Sequence, residues 1–279
     1  MRKISTKKIT DVVSRLVLKA NFSLRKDVLS SLKRAALSEK SPLGKSILKI
    51  LIENARIAEK EGLAICQYTG IAVVFCEIGQ KVHVGGDIDK AINEGIRLGY
   101  KKGCLRKSVV SDPIIRKNTG TNTPSIIHYS FNKSDKLRLT VLPKGFGCEN
   151  ASKVFMLKPT ATEEEIIESV VGAVKEQGAD ACPPLILGIG IGGTLDKAAT
   201  LSKEATLLPV NKTNPKKHLK RLESLILKRV NETGIGPAGL GGKTTCLGVN
   251  ILSFPTHIAG LPVVVNINCH ALRSAESLI

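Results

Sequence analysis

Residues Thr162–Gly193 read TEEEIIESVVGAVKEQGADACPPLILGIGIGG, and a helical periodicity followed by a short apolar run stands within them. Thr162 and Glu165 have the spacing of a capping box, in which hydroxyl and carboxylate each satisfy a free amide of the first helical turn. Ile166, Ile167, Val170 and Val171 then recur at helical spacing, which predicts a helix ending near Gly178. Leu185 to Ile191 is a short, apolar, partly β-branched run that predicts a buried strand running into glycines. A helix feeding such a strand points to a mixed α/β fold.

The same reading extends outward. Apolar stripes at Val12, Val13, Leu16 and Val17, at Val28, Leu29 and Leu32, and at Ile47, Leu48, Leu51, Ile52 and Ala55 predict three helices before Gly62. Ile71–Ile78, Leu137–Leu142 and Val263–Ile267 predict strands, and Asp87–Lys102 a helix. Asn214 followed by Pro215 has the form of a cap residue and a first helical proline, predicting a basic helix through Val230 that Gly234 stops. Residues 103–135 are polar and punctuated by Pro113, Gly120 and Pro124, and read as irregular. No repeat or clear linker divides the 279 residues. The expectation is one domain over 1–279, helical to about residue 62 and mixed α/β from about residue 63.

Apolar residues make up 42% of the chain, enough for a sizeable core, while aromatics are 3% and Trp is absent, so that core is aliphatic. The formal charge of +18 attracts anions: nucleic acid, acidic lipid, an acidic subunit or an anionic small molecule. No segment has the length of a membrane span, and the basic N-terminus lacks the apolar stretch of a secretory signal, so a cytoplasmic location without membrane contact is expected. Nucleic acid is disfavoured because no basic run is interleaved with aromatics. The seven cysteines, at 66, 76, 104, 148, 182, 246 and 269, are odd in number in a large chain without a signal, which argues against a disulfide framework, and they contain no Cys-x-x-Cys pair, which argues against a zinc finger or a thioredoxin-type site.

Two glycine-rich loops invite a nucleotide reading. Gly188–Gly193 and Gly234–Gly239 both fit G-x-G-x-x-G, yet one chain cannot open two dinucleotide folds at these places. Gly242-Lys243-Thr244 ends like a phosphate-binding loop, but its opening glycine falls on Pro237. Approachable amides for an anion or a cluster, or tight turns between packed elements, both remain open for these loops.

Seven segments stand in order along nearly the whole chain: Cys66-Gln-Tyr-Thr-Gly70; Leu105-Arg-Lys-Ser108; Arg116–Gly120 with Asn122-Thr-Pro124; Lys144-Gly-Phe-Gly-Cys-Glu-Asn150; Cys182-Pro-Pro with Gly188–Gly193; Gly234–Thr245; and His257 with Asn268-Cys-His-Ala271. Together they resemble the α subunit of the iron–sulfur hydro-lyases, class I fumarate hydratase and L-tartrate dehydratase. The resemblance implies a [4Fe–4S] cluster on Cys66, Cys182 and Cys269. Three thiolates leave one iron of such a cluster open as a Lewis acid for a substrate hydroxyl. It further implies reversible hydration of a four-carbon dicarboxylate, fumarate to L-malate before L-tartrate to oxaloacetate. Arg106 would hold a carboxylate, His257 and Gln67 would act at the site, and Lys144, Gly145 and Gly147 would line it. The resemblance expects a separate β subunit carrying the remaining catalytic groups, in an αβ assembly of α2β2 form. Two positions depart from the family pattern: Tyr68 stands at a usual aspartate and Cys148 at a usual serine. The first raises the alternative of a catalytically impaired scaffold subunit. Cys76, Cys104 and Cys246 are expected to be packing residues.

Overall fold

The structure is a computed structural model describing residues 1–279. In chain order its elements are β1 (Arg2–Ser5), α1 (Thr6–Phe22), α2 (Lys26–Ser38), α3 (Pro42–Glu61), β2 (Ile71–Gly79), β3 (Val82–Gly85), α4 (Ile88–Lys102), β4 (Ile126–Asn132), β5 (Leu137–Lys144) and α5 (Phe146–Asn150). There follow β6 (Lys153–Leu157), α6 (Glu163–Gln177), β7 (Leu185–Ile191), α7 (Leu195–Leu207), α8 (Lys217–Glu232), β8 (Cys246–Ser253), β9 (Leu261–Asn268) and β10 (Ala275–Leu278). The mixed α/β class and the helical N-terminal region are as the patterning predicts.

The chain forms two compact units, each discontinuous in sequence. The first comprises Met1–Leu24, Ala55–Phe146 and Arg273–Ile279. Its four-stranded sheet has the order β10-β5-β2-β4, with β2 parallel to β4 and antiparallel to β5. The apolar stripe of α1 meets Ile92, Ile96 and Tyr100 of α4 and the buried face of β2 and β5. Asp87 caps α4 by accepting the Lys90 amide at 2.9 Å.

The second unit comprises Arg25–Asn54 and Gly147–Leu272, around a sheet of order β6-β9-β7-β8. Thr162 and Glu165 make both bonds of the predicted capping box at the start of α6. Strand β7 explains the opening stretch of sequence. Leu185, Leu187, Ile189 and Ile191 pack on one face with α6 and α8, whereas Gly188 and Gly190 face α7. A Cβ on Gly190 would lie 2.0 Å from the Ala198 carbonyl oxygen of α7, so a side chain there would push the helix off the sheet.

Three local expectations need correction. Residues 103–135, read as irregular, contain β4, whose seven residues pair in parallel with β2. Helix α8 begins at Lys217, not at Pro215. Asn214 does not cap it. Its Oδ1 instead accepts the Lys216 amide at 3.1 Å, and its Nδ2 donates to Glu223 and to the Ile251 carbonyl, each at 2.9 Å. Cys104 is exposed, on a turn after α4 with φ +50, and is not part of the core. No helix is long and apolar enough to cross a membrane.

Candidate functional site

In the first unit the predicted residues gather around the loop that enters β2. Cys66 is partly exposed, and its Sγ accepts the Tyr68 amide at 3.4 Å. Gln67 and Tyr68 are exposed. Gly70 brings the loop down onto the end of β5. Its φ is +69, and a Cβ would lie 2.3 Å from the Lys144 carbonyl oxygen, so only glycine allows this approach. The register Ile71↔Lys144 then sets buried Lys144 beside the loop, and Gly145 next to Tyr68, where a Cβ would be 3.6 Å from the Tyr68 Cβ. Arg106 is exposed. Its carbonyl accepts the Thr69 hydroxyl at 2.7 Å, and its guanidinium stands 5.4 Å from the centre of the Tyr68 ring. Cys66, Gln67, Tyr68, Arg106, Lys144 and Gly145 are thus one group, a thiol with two cations, suited to an anionic ligand.

In the second unit Cys182 and Cys269 meet at one end of the sheet. Strand β7 runs antiparallel to β9 with Ile186↔Asn268, so the start of one lies beside the end of the other. Cys182 is exposed and Cys269 partly so. Cys182 has φ +55, a left-handed conformation that costs a non-glycine residue roughly 1 kcal/mol or more and persists where the surroundings demand it. His270 Nδ1 lies 3.0 Å from the Cys182 carbonyl, which can only accept, so that nitrogen carries the proton. Gly147 and Cys148 lie against the same segment. A Cβ on Gly147 would be 3.8 Å from the Asp180 oxygen, and Cys148 Sγ donates to the Ala181 carbonyl at 3.7 Å.

His257 is not in this group. It is exposed in the loop between β8 and β9, its Nδ1 accepting the Ala259 amide at 3.2 Å. The eight residues of β9 separate it from Cys269, roughly 25 Å at the usual strand rise. The imidazole beside the cysteines belongs to His270, which sequence reasoning quoted in a motif but gave no role. Tyr100, Asn122 and Arg273 were also passed over, and each bonds a backbone carbonyl of the Cys66 loop.

The remaining features sort cleanly. Burial pushes the thiols of Cys76 and Cys246 up to about 12, which leaves them protonated packing residues. The loop Gly242-Lys243-Thr244 does hold an anion, but the anion is the chain's own Glu39 at the end of α2. Glu39 Oε1 accepts the amides of Lys40, Ser41 and Lys243 at 2.9, 3.1 and 2.9 Å, and Oε2 that of Thr244 at 2.9 Å. Burial acts to raise its carboxyl, and these amides with the Thr244 hydroxyl outweigh it, holding the group at about 2. The amides of Lys243 and Thr244 are thereby taken by the chain's own carboxylate and are not offered to a phosphate.

The thiols of Cys66, Cys182 and Cys269 are at least partly exposed, unlike the two inert core cysteines, and one has an amide aimed at its sulfur. As a donor set they fit an iron–sulfur cluster. Neither unit on its own gathers three His, Cys, Asp or Glu side chains into a metal-binding group.

A family model described as fumarate hydratase (fumerase) matches residues 10–277. A protein of Methanocaldococcus jannaschii, provisionally named L(+)-tartrate dehydratase subunit alpha, is 38% identical over 275 residues, 96% of each chain. The L(+)-tartrate dehydratase subunits alpha of Escherichia coli (strain K12) and Shigella boydii serotype 4 are each 28% identical over 275 residues, 98% of this chain and 91% of theirs.

Proposed function

The chain belongs to the fumarate hydratase family, a family of hydro-lyases, and from that premise we propose that it is the α subunit of an enzyme adding or removing water across a four-carbon dicarboxylate. Cys66, Cys182 and Cys269 would hold a [4Fe–4S] cluster. With three thiolate ligands such a group offers one open iron as a Lewis acid toward a substrate hydroxyl. The observation that carries the reading is the gathering of Arg106 and Lys144 about the Cys66 loop, which pairs a candidate ligand with a carboxylate receptor.

The chain's own residues supply binding and orientation. Arg106, with its planar fork of donors, takes one substrate carboxylate, and Lys144 contributes positive field from the end of β5. Gln67 offers an amide beside Cys66 for a substrate oxygen. Tyr68 and Gly145 shape the wall against which Arg106 rests. His270 secures the backbone of Cys182 and so the direction of its thiol. The relatives' names as subunits alpha support a β subunit as partner, which would bring the remaining acid–base groups.

Anaerobic reconstitution with iron and sulfide tests the site. A broad visible absorption, lost in Cys66→Ser, is expected; a colourless protein refutes the cluster. Co-expression with a β subunit and assays on fumarate, L-malate and L-tartrate then identify the substrate, and no turnover of any of the three refutes the activity.

A further inference from the structure

The loop carrying Cys66 and Gln67 presents three successive carbonyls, those of Tyr68, Thr69 and Gly70, and each is taken by a side chain from elsewhere in the first unit. The Tyr100 hydroxyl, near the end of α4, lies 2.6 Å from the Thr69 oxygen and 3.0 Å from that of Gly70. Asn122 Nδ2 donates to Gly70 at 3.0 Å. Arg273 Nη2, just before β10, donates to Tyr68. Asn122 also reaches toward Arg106: its Oδ1 accepts the Ser108 amide at 2.7 Å, while the Thr69 hydroxyl holds the Arg106 carbonyl at 2.7 Å.

These are costly residues to place where they are. Tyr100 and Asn122 are fully buried and Arg273 is 4% exposed. Core packing between α1 and α4 would be served as well by phenylalanine at position 100. Asn122 has φ +60, a conformation that persists where several bonds determine it. Arg273 has no carboxylate within ion-pair distance, and its buried Nε has no partner, so its charge is not there to complete a salt bridge. Burial raises the pKa of the Tyr100 phenol, keeping it a donor at every working pH. Three expensive polar side chains converging on three adjacent carbonyls have a common effect: they determine where the loop stands.

We propose that Tyr100, Asn122 and Arg273 are positioning residues that clamp the Cys66–Gly70 loop by its backbone, with Asn122 carrying the same constraint to the Arg106 segment. The inference rests on the reading of Cys66, Gln67 and Arg106 as site residues. Its consequence is that loss of a clamp misplaces a reacting group without touching one, and displacement on the ångström scale costs up to about 100-fold in rate.

Tyr100→Phe is the cleanest variant, because it removes one hydroxyl and keeps the ring. Asn122→Gly accepts the positive φ and removes both amide bonds. Arg273→Met and Arg273→Lys form a loss-and-rescue pair. Hydrogen exchange of the whole chain, read by mass spectrometry, is expected to quicken about tenfold or more in residues 66–71 in Tyr100→Phe and Asn122→Gly, and also in 106–108 in Asn122→Gly, with α1 and β5 unchanged. In the αβ complex, kcat of Tyr100→Phe is expected to fall about 10- to 100-fold with KM within about threefold of wild type, whereas Asn122→Gly also raises KM. Arg273→Lys should recover most of what Arg273→Met loses.

Wild-type exchange in 66–71 for both Tyr100→Phe and Asn122→Gly overturns the clamp. So does loosening spread evenly through α1, α4 and β5, which marks a packing role only. An inactive wild-type complex counts against the proposed function alone, because the exchange measurement still decides the clamp.

Discussion

Glu39 offers the sharpest energetic test of the fold. Its carboxylate fills a cradle made by the amides of Lys40, Ser41, Lys243 and Thr244, linking the end of α2 to the loop before β8. The residue is 3% exposed, so solvent screens these bonds little. Its carboxyl is held at about 2 against an ordinary 4.5. That gap of about 2.5 units, at about 1.4 kcal/mol each, corresponds to about 3 kcal/mol of stability at neutral pH. Because the folded pKa is the lower one, the contribution is complete above the ordinary value and is lost as pH falls toward 2. Glu39→Gln keeps the shape and removes the charge. In urea titrations followed by circular dichroism, the variant should be less stable than wild type by about 3 kcal/mol at pH 7. The difference should fall to less than about half of that by pH 3. A difference under about 1 kcal/mol at pH 7, or one that stays constant down to pH 3, would refute the cradle as the source of the stabilisation.

Other outcomes follow from single positions. Gly190→Ala should cost about 3 kcal/mol or more in the same titration, because its Cβ would meet the Ala198 carbonyl at 2.0 Å and α7 must shift. In native apo protein at pH 8, alkylation mapped by mass spectrometry should mark exposed Cys104 and Cys182 first and Cys76 and Cys246 last, since burial holds the latter two up to about 12. Tyr68→Asp should raise turnover of the αβ complex about tenfold or more, by supplying a carboxylate where a phenol stands. Unchanged turnover would show that the tyrosine does not limit the enzyme.

The parts of the fold that patterning predicted are those whose signals are local. The capping box at Thr162 needs only four residues, and the apolar run of β7 only seven. Strand β4 escaped because its burial is shallow: Ile126, Tyr129 and Phe131 are exposed, so no clean apolar face marks it, and its partner β2 lies some fifty residues away. Asn214-Pro215 misled because the same cap chemistry serves a turn as well as a helix. There the amide was drawn off to Glu223, a buried carboxylate no local pattern announces.

The site divides along the same physical line. Motifs named Cys66, Arg106 and Lys144, and the register of β2 with β5 explains why segments about eighty residues apart belong together. Motifs could not name what holds them, because Tyr100 reads as one more apolar residue on an amphipathic helix and Arg273 as one more cation in a chain of +18. Their roles lie in the atoms they bond, which are backbone carbonyls and carry no residue identity. The net charge also takes on a different meaning. Spread over the surface it suggested any anion, but the structure separates its parts: Arg221 and Arg229 pair with glutamates of α6. Arg106 instead lies over an aromatic ring, and Arg273 is buried without a carboxylate. Cations already paired with carboxylates gain little by binding another, whereas Arg106, exposed and resting on an aromatic ring, keeps its guanidinium available to an anion beside the Cys66 loop.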